Sequence, residues 1–301
     1  MVKDFISLLD FTTAEVEGFL DLADDLKARQ KAGTPHPLLA GKSLALIFEK
    51  PSLRTRVTFQ IGMFQLGGTA VLLETRLGER ESVPDVARNL DRWVDGVAAR
   101  TFSHQHVVEL AGCCKGPVIN MLTDRLHPCQ ILADAQALRE HRGKDLSSLK
   151  IVFVGDGNNV FHSWAELAAR LPLNLPLVCP PEYMPDMDLV NACRELARGS
   201  ITITHDVEAG MRGADAVYTD VWASMGQEEE EAARAAIFAP FQVNGRLMSL
   251  ADSRCLFLHC LPAHRGLEVT DDVMDSPNSI VFDQAENRLH AQKAILATLM
   301  R

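Results

Sequence analysis

Apolar runs alternate with helical periodicity along the first half of the chain. "KSLALIFEK" (42–50) contains the apolar run "LALIF" and predicts a buried strand. Similar runs follow at 69–74, 96–100 and 117–122. The segments after these runs place apolar residues at helical spacing over 54–66, 84–93, 104–112 and 128–143. This alternation predicts a parallel sheet with helices on both faces.

The second half repeats the same alternation. "KIVFVGDGNNV" (150–160) predicts a strand that runs into a glycine-rich turn, and "HSWAELAARL" (162–171) predicts the following helix. Further strands are predicted at 176–181, 201–206, 216–222, 255–262 and 279–284. The polar stretch "HRGKDLSSL" (141–149) is typical of a joint between domains. The fold class is therefore α/β, with two doubly wound parallel-sheet domains and an active site between them at the carboxyl ends of the strands.

Helical spacing also marks both ends of the chain. Residues 4–29 predict a helix, with Thr12 or Thr13 as its N-cap ahead of Glu15. "AENRLHAQKAILATLM" (285–300) predicts an amphipathic helix at the C-terminus.

Composition and charge narrow the class of partner. The 301 residues suit two α/β domains, and 47% hydrophobic with 23% charged residues is ordinary for a globular enzyme. The formal charge of −10 disfavours nucleic acids and anionic membranes, so an anionic substrate requires a local cationic cluster. Seven cysteines without a C-x-x-C pair, and an opening without secretory-signal features, indicate a cytoplasmic protein.

The first candidate site is the turn "FEKPSLRTR" (48–56). Ser52 and Thr55 carry hydroxyl donors at the predicted start of a helix, where backbone N–H groups and the helix dipole favour an anion. Arg54 adds a planar guanidinium suited to phosphate oxygens, whereas Arg56 faces elsewhere on the helix. The turn predicts a phosphate site; the alternative is an ordinary serine-capped helix with solvated arginines.

Three more polar side chains follow predicted strands. Arg100 ends the strand 96–100, and His127 and Gln130 stand in "HPCQ" just after the strand 117–122. A histidine N–H can donate to a substrate carbonyl, and a glutamine oxygen can accept from an amide. For His127 alone, a structural histidine is the commoner alternative.

The turn "GDGNNV" (155–160) and Asp220 indicate a zwitterion site. Val160 occupies the third glycine position of the dinucleotide fingerprint, so nucleotide binding is disfavoured. The amides of Asn158 and Asn159 can donate to a carboxylate. Asp220 ends the strand in "YTDVWASMG" and is suited to an ammonium group.

Cys260 and Arg288 complete the candidates. Cys260 lies in "HCLPAHRG" (259–266), where His264 and Arg265 are placed to lower the thiol pKa. The alternatives are a buried inert cysteine or a zinc site with His127 and Cys129, but no metal-ligand spacing is complete. Arg288 lies early in the last helix and is either part of the cationic cluster or a surface arginine.

Taken together, these segments resemble the aspartate/ornithine carbamoyltransferase family over essentially the whole chain. The motifs that carry the resemblance are S-x-R-T-R, H-P-C-Q, D-x-x-x-S-M-G and H-C-L-P, and the last two are similar to the ornithine branch. The resemblance implies carbamoyl transfer from carbamoyl phosphate to L-ornithine, giving L-citrulline and phosphate, with arginine biosynthesis as the expected role. It also implies a homotrimer or a multiple of trimers, with no cofactor and no metal.

The resemblance further assigns domains and site residues. Residues 1–140 with the returning C-terminal helix 285–301 would bind carbamoyl phosphate, and residues 141–284 would bind ornithine. The expected carbamoyl phosphate ligands are Ser52, Leu53, Arg54, Thr55, Arg100, His127, Gln130, Cys260, Leu261 and Arg288. The expected ornithine ligands are Asn159, Asp220, Ser224 and Met225. The expected catalytic residues are Arg100, His127, Asp220 and Cys260, and Arg76 is a candidate contact to a neighbouring subunit.

Three positions depart from the ornithine pattern. Leu53 replaces a common threonine and is similar to relatives that act on N-acylated ornithine; Arg76 replaces a glutamine, and Val86 interrupts D-T-A-R. A carbamoyltransferase for an acylated or decarboxylated ornithine analogue and a non-catalytic binding trimer therefore stand as alternatives. Biosynthetic and catabolic roles would use the same pocket, so the sequence leaves both open.

Overall fold

The chain forms two compact α/β units. The computed structural model describes residues 2–223 and 230–301. One unit comprises Met1–Gln136 together with Glu286–Arg301, and the other comprises Ala137–Ala285. Each unit contains one parallel sheet with interleaved helices, so the predicted fold class of two parallel-sheet α/β domains is confirmed.

The first unit is built on a four-stranded parallel sheet in the order β2-β1-β3-β4. Its strands are β1 (Ser43–Phe48), β2 (Thr69–Glu74), β3 (Gly96–Arg100) and β4 (Val118–Leu122). Its helices are α1 (Thr13–Lys31), α2 (Leu53–Gln65), α3 (Val83–Leu90), α4 (His104–Cys113) and the start of α5 (Pro128–Arg142). The inner strands β1 and β3 are buried along almost their whole length, as expected for a sheet covered on both faces.

The second unit is built on a five-stranded parallel sheet in the order β7-β6-β5-β8-β9. Its strands are β5 (Ile151–Val154), β6 (Asn174–Val178), β7 (Ser200–Thr204), β8 (Ala216–Thr219) and β9 (Leu256–His259). Its helices are α6 (Asn159–Arg170), α7 (Met187–Leu196), α8 (Val207–Met211), α9 (Glu231–Phe238), α10 (Gly245–Met248) and α11 (Asp271–Met274). The carboxyl ends of the central strands β5 and β8 lead into the turns that carry Asn158 and Asp220.

The first long helix starts later than its periodicity predicts. The helix predicted over 4–29 is α1 only from Thr13, and a short 3₁₀ turn at Leu8–Asp10 precedes it. Thr12 is the N-cap: its side chain accepts from the Glu15 N–H, and Glu15 accepts in return from the Thr12 N–H at 2.9 Å. This reciprocal pair confirms the predicted cap and fixes the boundary that periodicity alone could not give.

The strand predicted at 279–284 is wrong. Only Ser279 pairs with the sheet, as an isolated bridge to Phe257, and the last helix α12 (Val281–Leu299) begins two residues later. The apolar run at 280–282 has a strand-like appearance, but the helix-forming residues after it continue through "QAEN" without a break. The helix therefore starts four residues before the predicted boundary at 285.

Helix α12 packs against the first unit, as expected. Lys27 of α1 donates to Asn287 Oδ1 at 2.6 Å, and Ala294 belongs to an apolar cluster with Ala23 and Leu26. This packing brings Arg288 to the first unit from the far end of the sequence. Among the described helices, none combines the length and the apolar character that crossing a membrane requires.

Candidate active site

The predicted phosphate turn forms the N-terminus of α2. Ser52 is extended and its Oγ accepts from the Thr55 N–H at 3.3 Å, so the serine cap predicted as the simpler alternative is present. A capped first turn still directs backbone N–H groups outward, because these groups have no acceptors within the helix. The cap therefore positions the turn for an anion but does not by itself identify one.

Arg288 joins this turn through Thr55. Its Nη2 donates to Thr55 Oγ1 at 2.7 Å, and the bond is buried. Arg288 is 3% exposed, so the alternative of a surface arginine is wrong. Arg56, by contrast, is exposed and pairs with Glu74 at 3.3 Å, away from the turn as predicted.

Arg100 and His127 lie close to Arg288 in the same unit. Arg100 is the last residue of β3 and His127 precedes α5, and both are buried. Burial holds the pKa of His127 well below 6.5, and the guanidinium groups of Arg288, Arg100 and Arg54 lower it further, against a backbone hydrogen bond at Met121 that raises it. His127 is therefore neutral at pH 7, and three guanidinium groups lie near enough to act on it. Such a concentration of positive charge is suited to a dianion.

Gln130 is arranged as an acceptor. Its side chain is 1% exposed, and its Nε2 donates to Asp134 Oδ1 at 2.8 Å. That bond fixes the orientation of the amide and leaves Oε1 buried without a hydrogen-bond partner among the described residues. A buried carbonyl oxygen of this kind is suited to an incoming N–H donor.

The loops after β1, β2 and β3 are held together by Glu49, a residue that the sequence did not single out. Glu49 accepts from the Leu77 N–H at 2.8 Å and from the Phe102 N–H at 2.7 Å. The Phe102 ring in turn lies under Lys50 Nζ at 4.4 Å and Arg76 Cζ at 5.4 Å. Arg76 is exposed and pairs with Glu79 at 3.4 Å. Its predicted contact to a neighbouring subunit is not tested by these interactions.

In the second unit, Asp220 is the centre of a compact polar group. Its carboxylate is nearly buried; Oδ1 accepts from the Cys260 thiol at 2.9 Å, and Oδ2 accepts from Asn158 Nδ2 at 2.9 Å. Two donors on separate loops thus fix one carboxylate. Asp220 and Cys260, predicted independently from two strand ends, are brought together.

Asn158 contacts Asp220, although the resemblance had assigned Asn159 to the site. Asn158 Oδ1 caps α6 by accepting from the Val160 and Phe161 N–H groups at 2.9 and 3.2 Å, and its amide nitrogen is left to meet Asp220. Asn159 is half-buried in the first turn of α6. The assignment of Asn159 to ornithine stays a prediction, and the N-cap preference of asparagine could have placed Asn158 at the start of α6.

Arg234 anchors the segments that carry Asp220 and Asn158. It donates to Asp156 Oδ2 at 2.8 Å and to the Trp222 carbonyl at 3.1 Å. Burial raises the pKa of Asp156, the Arg234 contact opposes that rise, and the nearby Asp220 charge adds to it. Ser224 and Met225, the other two predicted ornithine ligands, lie outside the described residues.

The predicted environment of Cys260 differs in one respect. Arg265, expected to lower its thiol pKa, pairs instead with Asp271 and Asp275, each at 2.7 Å. The Cys260 thiol donates to Asp220.

A metal is a poor fit to this group. Among the described residues, ligand atoms of Asp220, His259 and Cys260 lie within 4.8 Å of one another. However, His259 Nδ1 already accepts from the Leu261 N–H at 2.8 Å, and Nε2 contacts Glu268 Oε1 at 3.2 Å. Both ring nitrogens are thus engaged by protein. Cys129, the other zinc candidate, has its thiol pKa raised to about 12 by burial, which keeps it protonated.

Comparison with known proteins gives one consistent result. Residues 3–140 match the family model described as "Aspartate/ornithine carbamoyltransferase, carbamoyl-P binding domain". Residues 147–299 match the model of the "Asp/Orn binding domain" of the same family. An ornithine carbamoyltransferase of Thermococcus kodakarensis is 50% identical over 99% of this chain and 96% of the relative. One of Carboxydothermus hydrogenoformans is 51% identical over 99% of this chain and 97% of the relative.

Solved structures agree with these matches. The ornithine carbamoyltransferase of Pyrococcus furiosus has a TM-score of 0.96 at 48% identity, over 99% of this chain and 97% of that one. An acetylornithine transcarbamylase bound to acetylcitrulline is more distant, with a TM-score of 0.89 at 37% identity over 99% of each chain. With both domain descriptions matched over nearly all of its length, the chain belongs to the aspartate/ornithine carbamoyltransferase family.

Proposed function

We propose that the protein is an ornithine carbamoyltransferase, which converts carbamoyl phosphate and L-ornithine into L-citrulline and phosphate. The first unit would bind carbamoyl phosphate and the second unit would bind ornithine. The single observation that carries this proposal is that Cys260 and Asn158 both donate to the Asp220 carboxylate. Relatives about half identical to this chain bear the name ornithine carbamoyltransferase.

The charges of the first unit support the carbamoyl phosphate assignment. Arg54, Arg100 and Arg288 all lie close enough to His127 to lower its pKa, so they form one cationic cluster near the N-terminus of α2. A phosphate dianion would accept from these groups and from the first-turn backbone N–H groups of Ser52–Thr55. Neutral His127 would donate to the carbamoyl oxygen, and Gln130 Oε1 would accept from the carbamoyl NH₂.

The second unit supports recognition of an amino acid with two amines. A carboxylate such as Asp220 would pair with the α-ammonium group of ornithine, and the amide of Asn159 would donate to the ornithine carboxylate. Cys260 and Asp220 would orient the side-chain amine. Ser224 and Met225 complete this proposed set.

The proposed reaction is a direct acyl transfer. An alkyl ammonium group has a pKa near 10.4, so the side-chain amine must lose a proton before it attacks. Its lone pair forms the new C–N bond to the carbamoyl carbon, and the C–O bond to phosphate breaks with the electron pair leaving on the phosphate. The proton that the ammonium group loses before attack passes to solvent, and the second proton, released from the nitrogen once the C–N bond has formed, passes to the departing phosphate. Most of the acceleration would come from orientation and from donors that face the developing oxyanion.

We also propose that the chain works as a homo-oligomer built from trimers. One face of α2 exposes Leu53, Val57, Ile61 and Phe64, whose side chains are between 42% and 76% exposed. The edge strand β2 adds exposed Val71. Contiguous large apolar side chains favour burial against a second copy. Ultracentrifugation of the wild type and of Phe64→Glu tests this: a trimer that dissociates supports the proposal, and a wild-type monomer contradicts it.

Arginine biosynthesis in the cytoplasm is the role we propose. The test is steady-state kinetics in both directions: a biosynthetic enzyme forms citrulline efficiently at low ornithine. An enzyme that saturates only at high carbamoyl phosphate, yet cleaves citrulline with phosphate readily, would be catabolic instead.

The reaction itself is tested with purified protein. Carbamoyl phosphate and ornithine should yield citrulline and inorganic phosphate in equal amounts, without added metal and in the presence of a chelator. Absence of product at saturating substrates would reject the enzyme assignment and favour the non-catalytic binding trimer.

Nα-acetylornithine is the second candidate acceptor. Two acetylornithine transcarbamylase structures resemble this chain at 37% identity, and exposed Leu53 is one of its departures from the ornithine pattern. An acylated α-nitrogen carries no charge, so buried Asp220 would have no ammonium partner. Supplying both acceptors together and separating the products by chromatography distinguishes the two.

A further inference from the structure

Leu261 has a backbone conformation that needs an explanation. Its φ is 58°, in the left-handed region that glycine adopts freely and that a leucine side chain disfavours. Among the described residues, only Ser148 is another non-glycine with positive φ. Outliers of this kind persist where surrounding contacts enforce them, and they cluster at functional sites. Leu261 directly follows Cys260, whose thiol donates to Asp220.

The side chain that contacts the Leu261 backbone is His259. Its Nδ1 accepts from the Leu261 N–H at 2.8 Å, so the ring bridges the turn from the residue before Cys260 to the residue after it. An acceptor at Nδ1 places the ring proton on Nε2, an assignment made from the hydrogen-bond network. That nitrogen faces Glu268 Oε1 at 3.2 Å.

Glu268 and the sheet fix the ring itself. The side chains of His259 and Glu268 are both fully buried, and Glu268 Oε1 also accepts from the His264 N–H. The His259 backbone is held at the end of β9, where its N–H donates to Gln284 Oε1 at 3.0 Å and it pairs with Thr219 of β8. The imidazole is therefore held by Glu268 through Nε2, and the backbone that carries it is held by Gln284 and by strand pairing with Thr219.

We propose that His259 is a positioning residue, which with Glu268 imposes the left-handed turn at Leu261 and so sets the direction of the Leu261 carbonyl and the Cys260 thiol. The inference rests on the proposed function, in which that carbonyl accepts from the carbamoyl NH₂ and that thiol orients the amine. His259 does not touch substrate. Its role requires an acceptor at the δ position and a donor at the ε position of one side chain, which neutral histidine supplies.

Two substitutions of His259 test the roles of Nδ1 and Nε2 one at a time. His259→Asn keeps an acceptor near the δ position and loses the Glu268 contact, whereas His259→Gln keeps a donor near the ε position and loses the Leu261 contact. Both remove the ring, so we expect similar losses of Tm. We expect kcat to fall roughly 10²-fold in His259→Gln, the cost of a small misplacement of reacting groups, and clearly less in His259→Asn.

Further readouts exclude a general loss of structure. Affinity for methylphosphonate, which has no carbamoyl group to contact Leu261, should stay at the wild-type value in both variants, because the phosphate ligands proposed in the first unit do not contact His259. The matched control is His162→Asn, because buried His162 Nε2 also accepts a backbone N–H, that of Asp186 at 3.0 Å. This control should lower Tm and leave kcat unchanged. Equal kcat in the Asn and Gln variants, or an equal loss in the control, would overturn the proposal.

If the His259 variants do not fold, variants of Leu261 test whether the site needs a left-handed turn. Leu261→Gly accepts a positive φ, whereas the branched Cβ of Leu261→Val opposes it. We expect kcat to fall further in Val than in Gly, and equal values would reject the need for a left-handed turn. If the wild type forms no citrulline, the proposed function is rejected, but that result does not reject the inference that His259 imposes the turn at Leu261. Crystal structures then judge the inference, which requires Leu261 to leave positive φ in His259→Gln and to retain it in His259→Asn.

Discussion

Arg288 and Thr55 form a buried hydrogen bond of 2.7 Å across a separation of 233 residues. This bond joins the last helix to the first turn of α2, where the phosphate is proposed to bind. Arg288 carries charge and Thr55 provides a hydroxyl that accepts from it. Because each side chain holds the other, removing one is expected to displace its partner from the proposed phosphate site.

The first prediction is that Arg288 and Thr55 act as a unit. Arg288→Met and Thr55→Val should each weaken binding of a phosphonate analogue of carbamoyl phosphate. The double variant should lose less than the two single losses combined, with a coupling free energy of about 1–2 kcal/mol because the residues are in contact. Titration calorimetry on the four proteins measures it. Additive losses would mean that the bond does not serve the phosphate.

The second prediction separates the two substrates. Asp220→Asn keeps the size of the side chain and removes the charge proposed to hold the ammonium group, so kcat/KM for ornithine should fall roughly 10²-fold. Phosphonate affinity should not change, because the first unit holds the proposed phosphate ligands.

Asp215→Asn is the control for this change. Asp215 accepts from the Lys150 N–H at 2.8 Å, just before β8, and is not a proposed ligand. It should leave kcat/KM for ornithine at the wild-type value. Equal losses of phosphonate and ornithine binding in Asp220→Asn would contradict the proposal that each unit binds one of the two substrates.

Much of this architecture could be predicted from the sequence, for physical reasons that apply to particular segments. Residues 44–48 of β1 are apolar throughout because both faces of its sheet are covered. Thr12 and Glu15 form a local hydrogen-bonded pair. Asp220 and Cys260 could be paired because parallel strands bring their carboxyl ends to one edge. Periodicity and strand-end position suffice for such features.

The wrong strand prediction and the residues that the sequence did not single out also have physical explanations. Residues 279–284 were mistaken for a strand because "SIVF" is apolar and β-branched, whereas the following helix formers decide the conformation. His259, Glu268 and Glu49 were missed because their roles depend on contacts between loops. A histidine before Cys260 and an acid nine residues after that histidine were the only sequence signals for the first pair.

The third prediction concerns the protonation of His127. Its pKa is lowered well below 6.5, so the folded protein keeps the ring neutral in a range where the unfolded chain binds a proton. The stability that depends on the neutral ring is therefore lost as the pH falls below about 6.5. The acidic limb of the kcat/KM profile for carbamoyl phosphate should lie at the same pH in the wild type and in the weaker His127→Gln. A limb near pH 6.5 present only in the wild type would contradict a neutral donor.

The fourth prediction concerns Lys293, which is fully buried on α12. Its Nζ contacts Gln30 Oε1 at 3.0 Å, Gln65 Oε1 at 2.8 Å and His36 Nε2 at 3.1 Å. Burial lowers the pKa of Lys293 to about 8. The unfolded chain binds the proton up to about pH 10.4, so this lysine makes the free energy of unfolding rise with pH from about 8 to 10, by up to about 3 kcal/mol.

Urea unfolding of the wild type and of Lys293→Met across that pH range measures the contribution. The difference between the two curves should grow with pH in favour of the wild type. Lys31→Met, the same substitution at an exposed lysine, is run beside it as the control. A Lys293 difference that is flat or shrinks with pH would contradict the lowered pKa.

The start of α2 is proposed to bind the phosphate of carbamoyl phosphate, and the adjacent residues Arg54 and Arg56 provide the test. Arg54 belongs to the cationic cluster around His127, whereas Arg56 pairs with Glu74 on the exposed side of the helix. Equilibrium binding of carbamoyl phosphate should weaken roughly 10- to 100-fold in Arg54→Ala, the worth of hydrogen bonds to a charged group, and should not change in Arg56→Ala. Unchanged affinity in Arg54→Ala, or equal losses in both variants, would contradict the account.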